Sequence, residues 1–331
     1  MKNHSIIRSV AILLLGVLSA CSRGSDGEQP RQAPGKIEFG IAVEHGPETR
    51  AGDYYDQGAI TGFKLYAFSD DDYRSAPFIN GESVTISNGT PVYDKSWPKS
   101  SAEKFRFAAL APQYLWSYTS GQDMNLDRVN IPSYTIPNNS MDHVDMLYAT
   151  TGADYYYNQL VPLYFRHALT RISFAARVSS SFSGRQVEVT KITLANVGNY
   201  EAATLTDAFN WETAQIRSDF FIDFWATDRQ QLTASYKLLM PEGEDCPEEN
   251  TRNSMLLFPH SDLTGVEMVV DLSVDGVAEQ RTIDLGAVVY TGDPWPMGKH
   301  IVYQITVKPK DAEIVASVVD WTDVYIQGIL Q

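Results

Sequence analysis

Apolar and polar residues alternate along most of this chain. Ile37, Phe39, Ile41 and Val43 stand two apart, and so do Phe105, Phe107 and Ala109. Val187 and Val189 repeat the spacing, as do Ile192 and Leu194. The longest run is Val266, Met268, Val270, Leu272 and Val274; Ile301, Tyr303, Ile305 and Val307 follow, then Ile314, Ala316 and Val318. A period of two sends one side chain into a core and the next into solvent, the pattern of half-buried antiparallel strands. Turn formers separate the runs: Asn88-Gly89, Ser183-Gly184, Gly198-Asn199, Asp275-Gly276 and Gly292-Asp293-Pro294. Asp275-Gly276 lies between two strand-like runs and predicts a tight hairpin. Beyond the first twenty residues no segment keeps a helical period for three turns. The expected fold class is all-β, with two tandem antiparallel β-sandwich domains.

The chain divides by composition. Residues 1–20 have the layout of a secretion signal: Lys2 and Arg8 at the positive end, then an apolar stretch over 10–18 that is too short to span a bilayer. Leu18, Ser19 and Ala20 lead directly into Cys21. Small residues ending an apolar run at a cysteine resemble a bacterial lipobox, in which the chain is cut between Ala20 and Cys21 and the thiol is acylated. Residues 21–36 hold Gly24, Gly27, Pro30, Pro34 and Gly35 without apolar periodicity and read as a flexible tether. The segment 152–158, with Tyr155, Tyr156 and Tyr157, separates two strand-rich halves. The expected domains are therefore 37–158 and 159–331, each of ordinary sandwich size.

Charge narrows the partners. The 331 residues carry a formal net charge of −15. Loss of residues 1–20 removes Lys2 and Arg8 and no acid, giving −15 − 2 = −17. A chain this acidic repels nucleic acid and anionic headgroups, so nucleic acid is not an expected partner. With Cys21 acylated, Cys246 has no partner in the chain, and no disulfide framework is expected.

The search for chemistry returns little. The nucleophile elbow, the zinc-protease pair, the phosphate loop and the dinucleotide fingerprint are all missing from the sequence. The six histidines, at 4, 45, 143, 167, 260 and 300, stand at no metal-ligand spacing from one another or from cysteine. His167, inside the apolar run 161–178, reads as a structural histidine. Asp70, Asp71 and Asp72 form one acidic cluster; Glu242, Glu244, Asp245, Glu248 and Glu249 form another. Neither has the spacing of a calcium loop, and both read as solvated loops. Cys246 sits among those carboxylates, which raise a thiol pKa and make it a poor nucleophile. No cofactor, metal or catalytic residue is expected, and the chain does not read as an enzyme. Trp97, Trp116, Trp211 and Trp225 are candidates for stacking on sugars, although sandwich cores use the same residues.

A family resemblance is carried by the order of several short motifs. His143-Val144-Asp145-Met146-Leu147-Tyr148-Ala149 precedes Val161-Pro162-Leu163-Tyr164-Phe165-Arg166-His167-Ala168-Leu169-Thr170-Arg171-Ile172. Leu257-Phe258-Pro259-His260 follows, then Trp295-Pro296-Met297-Gly298-Lys299-His300 before a strand, and Val318-Val319-Asp320-Trp321 near the end. Thr49-Arg50-Ala51 comes after the first alternating run. With the lipobox, this order resembles the fimbrillin-like lipoproteins, the pilins of type V fimbriae, over about residues 37–323.

The resemblance implies two sandwich domains of transthyretin-like topology and export to the cell outer membrane as a surface lipoprotein held through lipid on Cys21. It implies a trypsin-like maturation protease, cutting here between Arg50 and Ala51. That cut removes the lipid and the first strand, with Ile37, Phe39, Ile41 and Val43. A strand from another fimbrial subunit then fills the exposed groove by strand addition. At about 1.5–3 kcal/mol per buried side chain, four such residues represent on the order of 6–12 kcal/mol of gross burial. The candidate donor tail holds Val324, Ile326 and Leu330, with Gly328 between them. It is short for a shaft subunit, which points to a tip or anchor position, and the implied role is in cell adhesion. The alternative is a surface lipoprotein that never polymerises and binds glycans or host ligands.

Overall fold

The computed structural model describes residues 35–43, 60–70, 77–99, 103–113, 124–125, 128–182, 184–198, 200–205, 208–211, 221–239, 254–290, 292–309 and 312–320. The strands in chain order are β1 (Phe39–Val43), β2 (Gly62–Ser69), β3 (Ile79–Ser87), β4 (Thr90–Val92), β5 (Phe105–Ala111), β6 (Met124–Asn125) and β7 (Arg128–Thr135). There follow β8 (Leu147–Thr150), β9 (Val161–His167), β10 (Thr170–Val178), β11 (Val187–Ala195), β12 (Tyr200–Leu205), β13 (Phe209–Trp211) and β14 (Phe221–Gln231). The last are β15 (Lys237–Leu238), β16 (Ser254–Leu257), β17 (Glu267–Val274), β18 (Val277–Asp284), β19 (Lys299–Val307) and β20 (Ala312–Asp320). The helical turns among the described residues are short 3-10 turns, such as Ser140–Asp142 and Leu285–Ala287. The fold is all-β.

A seven-stranded sheet has the order β1-β9-β8-β5-β2-β3-β4. A second sheet runs β15-β10-β19-β20, with β16 also on β10; a third runs β14-β11-β17-β18; a fourth runs β13-β12-β7-β6. Pairing crosses the sequence boundary at residue 158. β9 lies in the first sheet with β1 and β8, and β7 pairs with β12.

The alternation reads directly onto several strands. In β17 the even-numbered residues Met268, Val270, Leu272 and Val274 are buried and their neighbours are not. Asp275 and Gly276 both have positive φ, at 50° and 83°, and join β17 to β18 as a two-residue hairpin; Asn88 and Gly89 do the same between β3 and β4. Two departures are instructive. β10 and β19 pair in parallel, and β1 and β9 do too, whereas the other strand pairs among the described residues are antiparallel. β10 and β19 are also buried on both faces, so His300, Thr306, Arg171 and Ser173 occupy the interior alongside the apolar residues.

Two clusters form the interior. The larger unites the later sheets around Phe174, Phe224, Phe258, Trp295 and Tyr303, and takes in Tyr66, Phe68, Ala108, Leu110 and Tyr148 from one face of the first sheet. The opposite face of that sheet has its own cluster: Phe63, Leu65, Phe105, Phe107, Leu163 and Phe165 with Ile37, Phe39, Val43 and Trp97. The first strand belongs wholly to this second cluster.

Candidate strand-exchange site

Among the described residues β1 is the end strand of its sheet, and it touches β9 in the register Phe39–Val161, Gly40–Pro162, Ile41–Leu163, Ala42–Tyr164 and Val43–Phe165. Its alternating side chains face the smaller cluster. Ile37 is 2% exposed, Phe39 8% and Val43 7%, whereas Ile41 is only half-buried. The Phe39 ring sits among three others: Phe107 at 5.9 Å, Tyr93 at 5.8 Å and Phe63 at 6.3 Å between centroids. Edge and tilted arrangements of this kind add to the burial of apolar area. The three buried side chains represent about 5–9 kcal/mol of gross burial.

The residues just before β1 bind a second partner. The Ile37 N–H donates to the Lys95 carbonyl at 2.9 Å, and the Trp97 N–H donates to the Gly35 carbonyl at 3.0 Å. Lys36 and Ser96 face each other as an antiparallel bridge. Residues 93–97 therefore act as a strap. They follow β4, the strand at the far end of the sheet, so the segment just before β1 links both ends of the seven-stranded sheet. A 2.6 Å ion pair between Lys36 and Asp94 lies on the outside, with both side chains well exposed. The Lys36 ammonium holds the Asp94 carboxyl below its ordinary pKa. Such exposed pairs add little to stability.

The strap has anchors that do not involve β1. Lys95 Nζ donates to Glu82 Oε1 at 2.5 Å and to the Phe78 carbonyl at 2.8 Å, and sits 4.8 Å from the Phe78 ring centroid. The Tyr93 hydroxyl donates to Glu82 Oε2 at 2.7 Å. Burial pushes the Glu82 pKa up, but the Lys95 and Tyr93 hydrogen bonds outweigh it and leave the carboxyl below its usual value. Burial and the Glu82 carboxylate together drive the Tyr93 hydroxyl far up. Trp97 is 2% exposed and packs on Phe105, Phe107 and Tyr157. These contacts do not pass through β1. What β1 covers is therefore a groove walled by β9 on one side and by the anchored strap on the other.

Ile37, Phe39 and Val43 are brought together in this groove, with Ile41 at its half-buried position. The signal-cleavage pair Ala20 and Cys21, the protease site Arg50 and Ala51, and the tail residues Val324, Ile326 and Leu330 lie outside the described residues. So do Cys246, Trp116 and the acidic segment 242–249. The strap was missed in the sequence. Tyr93, Lys95 and Trp97 do stand two apart, a strand-like signal, but Lys95 at the middle position breaks the apolar pattern.

The tryptophans do not assemble a sugar platform among the described side chains. Trp97 is in the core, and the half-buried Trp211 donates its Nε1 hydrogen to the Ala168 carbonyl at 2.6 Å while packing on Phe209 and Phe258. His167 is structural: it is 5% exposed, with Nδ1 2.9 Å from Asp145 Oδ2. His143 bridges two strand ends. Its Nδ1 accepts from the Leu256 N–H at 2.9 Å, which leaves Nε2 to donate to the Pro137 carbonyl at 2.9 Å. Burial holds its pKa down at about 4. No group of three or more metal-binding side chains occurs among the described residues, and no helix there is long and apolar enough to cross a membrane.

The sequence pattern of the fimbrillin-like family matches residues 49–321. Among solved structures, a fimbrial protein from Bacteroides vulgatus is similar at 15% identity and a TM-score of 0.59, over 86% of this chain and 99% of that one. A candidate cell adhesion protein from Bacteroides uniformis is similar at 16% identity and a TM-score of 0.52, over 87% and 99%. Another from Bacteroides ovatus gives 15% and 0.52, over 88% and 98%. At these identities the likeness is one of fold. No curated protein matches the chain.

Proposed function

Starting from a chain that belongs to the fimbrillin-like family, we propose that it is a tip, anchor or other accessory subunit of a type V fimbria, assembled by strand exchange at the β1 groove. The observation that carries this reading is the placement of β1. Among the described residues it is an end strand, it and the preceding Ile37 contribute Ile37, Phe39 and Val43 to a closed core, and the basic residue Arg50 follows Val43 by seven positions. A single cut after Arg50 separates those side chains from the rest of the fold. The strap and β9 retain their own contacts, so the exposed apolar groove favours a replacement strand.

In this scheme the chain is exported as a lipoprotein on Cys21, held at the outer membrane, and released from its lipid by the same cut that opens the groove. Its place is the cell surface, and its role is adhesive and structural rather than enzymatic. Other subunits are its partners through added strands. The glycan-binding alternative draws no support from Trp97 or Trp211, whose rings are engaged in packing.

The mature N-terminus of protein isolated from cells tests the proposal. Assembly by strand exchange predicts a chain starting at Ala51. A chain starting at acylated Cys21 in all cell fractions contradicts strand exchange at the β1 groove and favours an anchor that keeps its lipid or a lipoprotein that never polymerises.

A further inference from the structure

The first sheet has one face that is only partly covered. Val161, Leu163 and Phe165 of β9 and Phe105 and Phe107 of β5 point into the smaller cluster. Alternation therefore sends Pro162, Tyr164 and Arg166 of β9, and Arg106 of β5, to the opposite face. Over β2, β5 and β8 the larger cluster covers that face through Tyr66, Phe68, Ala108, Leu110 and Tyr148. Its cover stops short of β9 and β1. Tyr164 is 58% exposed, as is Leu160 just before β9, and Arg166 is exposed too. Gly40 and Ala42 of β1 lie beside Pro162 and Tyr164 and give the open strip a low floor. A Cβ at Gly40 would meet only Leu160, at 3.5 Å.

A cation stands where the covered and open parts meet. Arg106 is opposite Phe68 in the register of β2 and β5. Its guanidinium carbon is 5.8 Å from the Phe68 ring centroid and 5.5 Å from that of Tyr155, a ring that reaches solvent. Arg106 is half-buried, and its Nε is enclosed without a hydrogen-bond partner. Lys36, Lys95, Lys191, Arg185 and Arg281 each have a carboxylate within 4 Å. No such ion pair forms at Arg106 among the described residues. A guanidinium held by aromatic rings and lacking an internal counterion is suited to a carboxylate from outside, which it can grip with two parallel bonds.

We propose that this strip binds an acidic saccharide, a short run of carboxylate-bearing sugar rings, with Arg106 on a carboxylate and Tyr155 and Tyr164 against ring faces. β9, β8 and β5 are consecutive in the sheet, so Arg106 and Tyr164 stand two strand spacings apart, about 10 Å. That width suits an oligosaccharide better than a single ring. Phenol rings offer an apolar face and a hydroxyl together, as a sugar does, whereas a peptide recognised by a sheet adds to its edge. Arg106, Tyr155 and Tyr164 all follow Ala51 in the sequence, so uncut and cut chains both carry the strip. The proposal goes beyond strand exchange and does not depend on it.

Calorimetric titration of the full chain with a galacturonic acid trimer tests this, beside a neutral galactose trimer and triglutamate. The acidic sugar should bind in the millimolar range, about tenfold tighter than either control. Arg106→Gln and Tyr164→Ser should each weaken it about fivefold. Val277→Ser, at an exposed position elsewhere, should leave it unchanged. Tyr164→Ser alters an outward side chain, so it reads the site even where Arg106→Gln disturbs the fold. Equal binding of the galactose trimer overturns the carboxylate contact, and equal binding of triglutamate overturns the saccharide. Absence of binding, or binding that Tyr164→Ser leaves unchanged, overturns the site.

Discussion

Ile37 donates its backbone hydrogen to the Lys95 carbonyl at 2.9 Å, joining the segment before β1 to the strap that follows β4, the strand at the other end of the sheet. The first strand is thus held along two lines, and each line also has anchors of its own that do not involve it. Lys95 is fixed by Glu82 and the Phe78 carbonyl, and β9 by β8.

Phe39→Ala removes a buried ring from contact with three others. Its expected cost is about 3–5 kcal/mol in the uncut protein, read by urea denaturation. After cleavage at Arg50 and loss of the first strand, variant and parent have the same sequence. Their midpoints should then coincide; a surviving difference would mean that residue 39 stays with the cut protein.

Glu82→Gln weakens the anchor of the strap. Its carboxylate accepts from both Lys95 and Tyr93, so the expected loss is about 1 kcal/mol, discounted for partial exposure of the pair. Because the folded pKa of Glu82 lies below its unfolded value, the stabilisation is present above the ordinary carboxyl range and fades as pH falls through the folded value. The difference between parent and variant should therefore be full at pH 7 and shrink in acid. A constant difference down to pH 2 would show that the carboxylate charge is not what the strap uses.

Two histidines set an earlier acid limit. Burial lowers both His143 and His260 to about 4, and the His260 Nε2 is buried without a hydrogen-bond partner. A neutral buried imidazole favours the folded state fully above the unfolded pKa of about 6.5. As pH falls from there to about 4 the unfolded chain takes up protons that the folded chain refuses. Each histidine then withdraws up to about 3 kcal/mol of stability. Urea midpoints measured across this window should decline steadily, and a flat profile from pH 7 to 4.5 would contradict the buried neutral assignment.

Trp97→Ala should lower stability by about 3–5 kcal/mol, since the ring is enclosed by Phe105, Phe107 and Tyr157. Tyr164→Ser, at an exposed outward position, should change it by less than about 0.5 kcal/mol. Thermal melts of the two variants check this pair. Equal midpoints would mean that Trp97 is a surface residue after all.

The hairpin at Asp275-Gly276 and the alternation of β17 were legible in the sequence because local rules govern both: a turn that needs positive φ, and one face open to solvent. β10 and β19 were only half legible. They lie inside a sheet with both faces covered, so Val302 is as buried as Ile301, and period two no longer separates core from surface. The parallel contact of β1 with β9 joins residues more than a hundred positions apart, and no local signal encodes that direction. At the candidate site, the apolar spacing of Ile37, Phe39, Ile41 and Val43 was visible, but the lesser burial of Ile41 was not. Trp97 shows the converse: an aromatic on a polar segment resembles a sugar platform until its neighbours are known.

The central claim is that removing the first strand turns a closed subunit into one that captures another chain. The direct measurement is to treat the purified full-length protein with a trypsin-like protease and follow its size on gels in mild SDS without boiling. The account predicts a ladder of oligomers that appears together with chains starting at Ala51 and collapses on boiling. A chain that is cut to Ala51, loses the first strand and remains a folded monomer would contradict it.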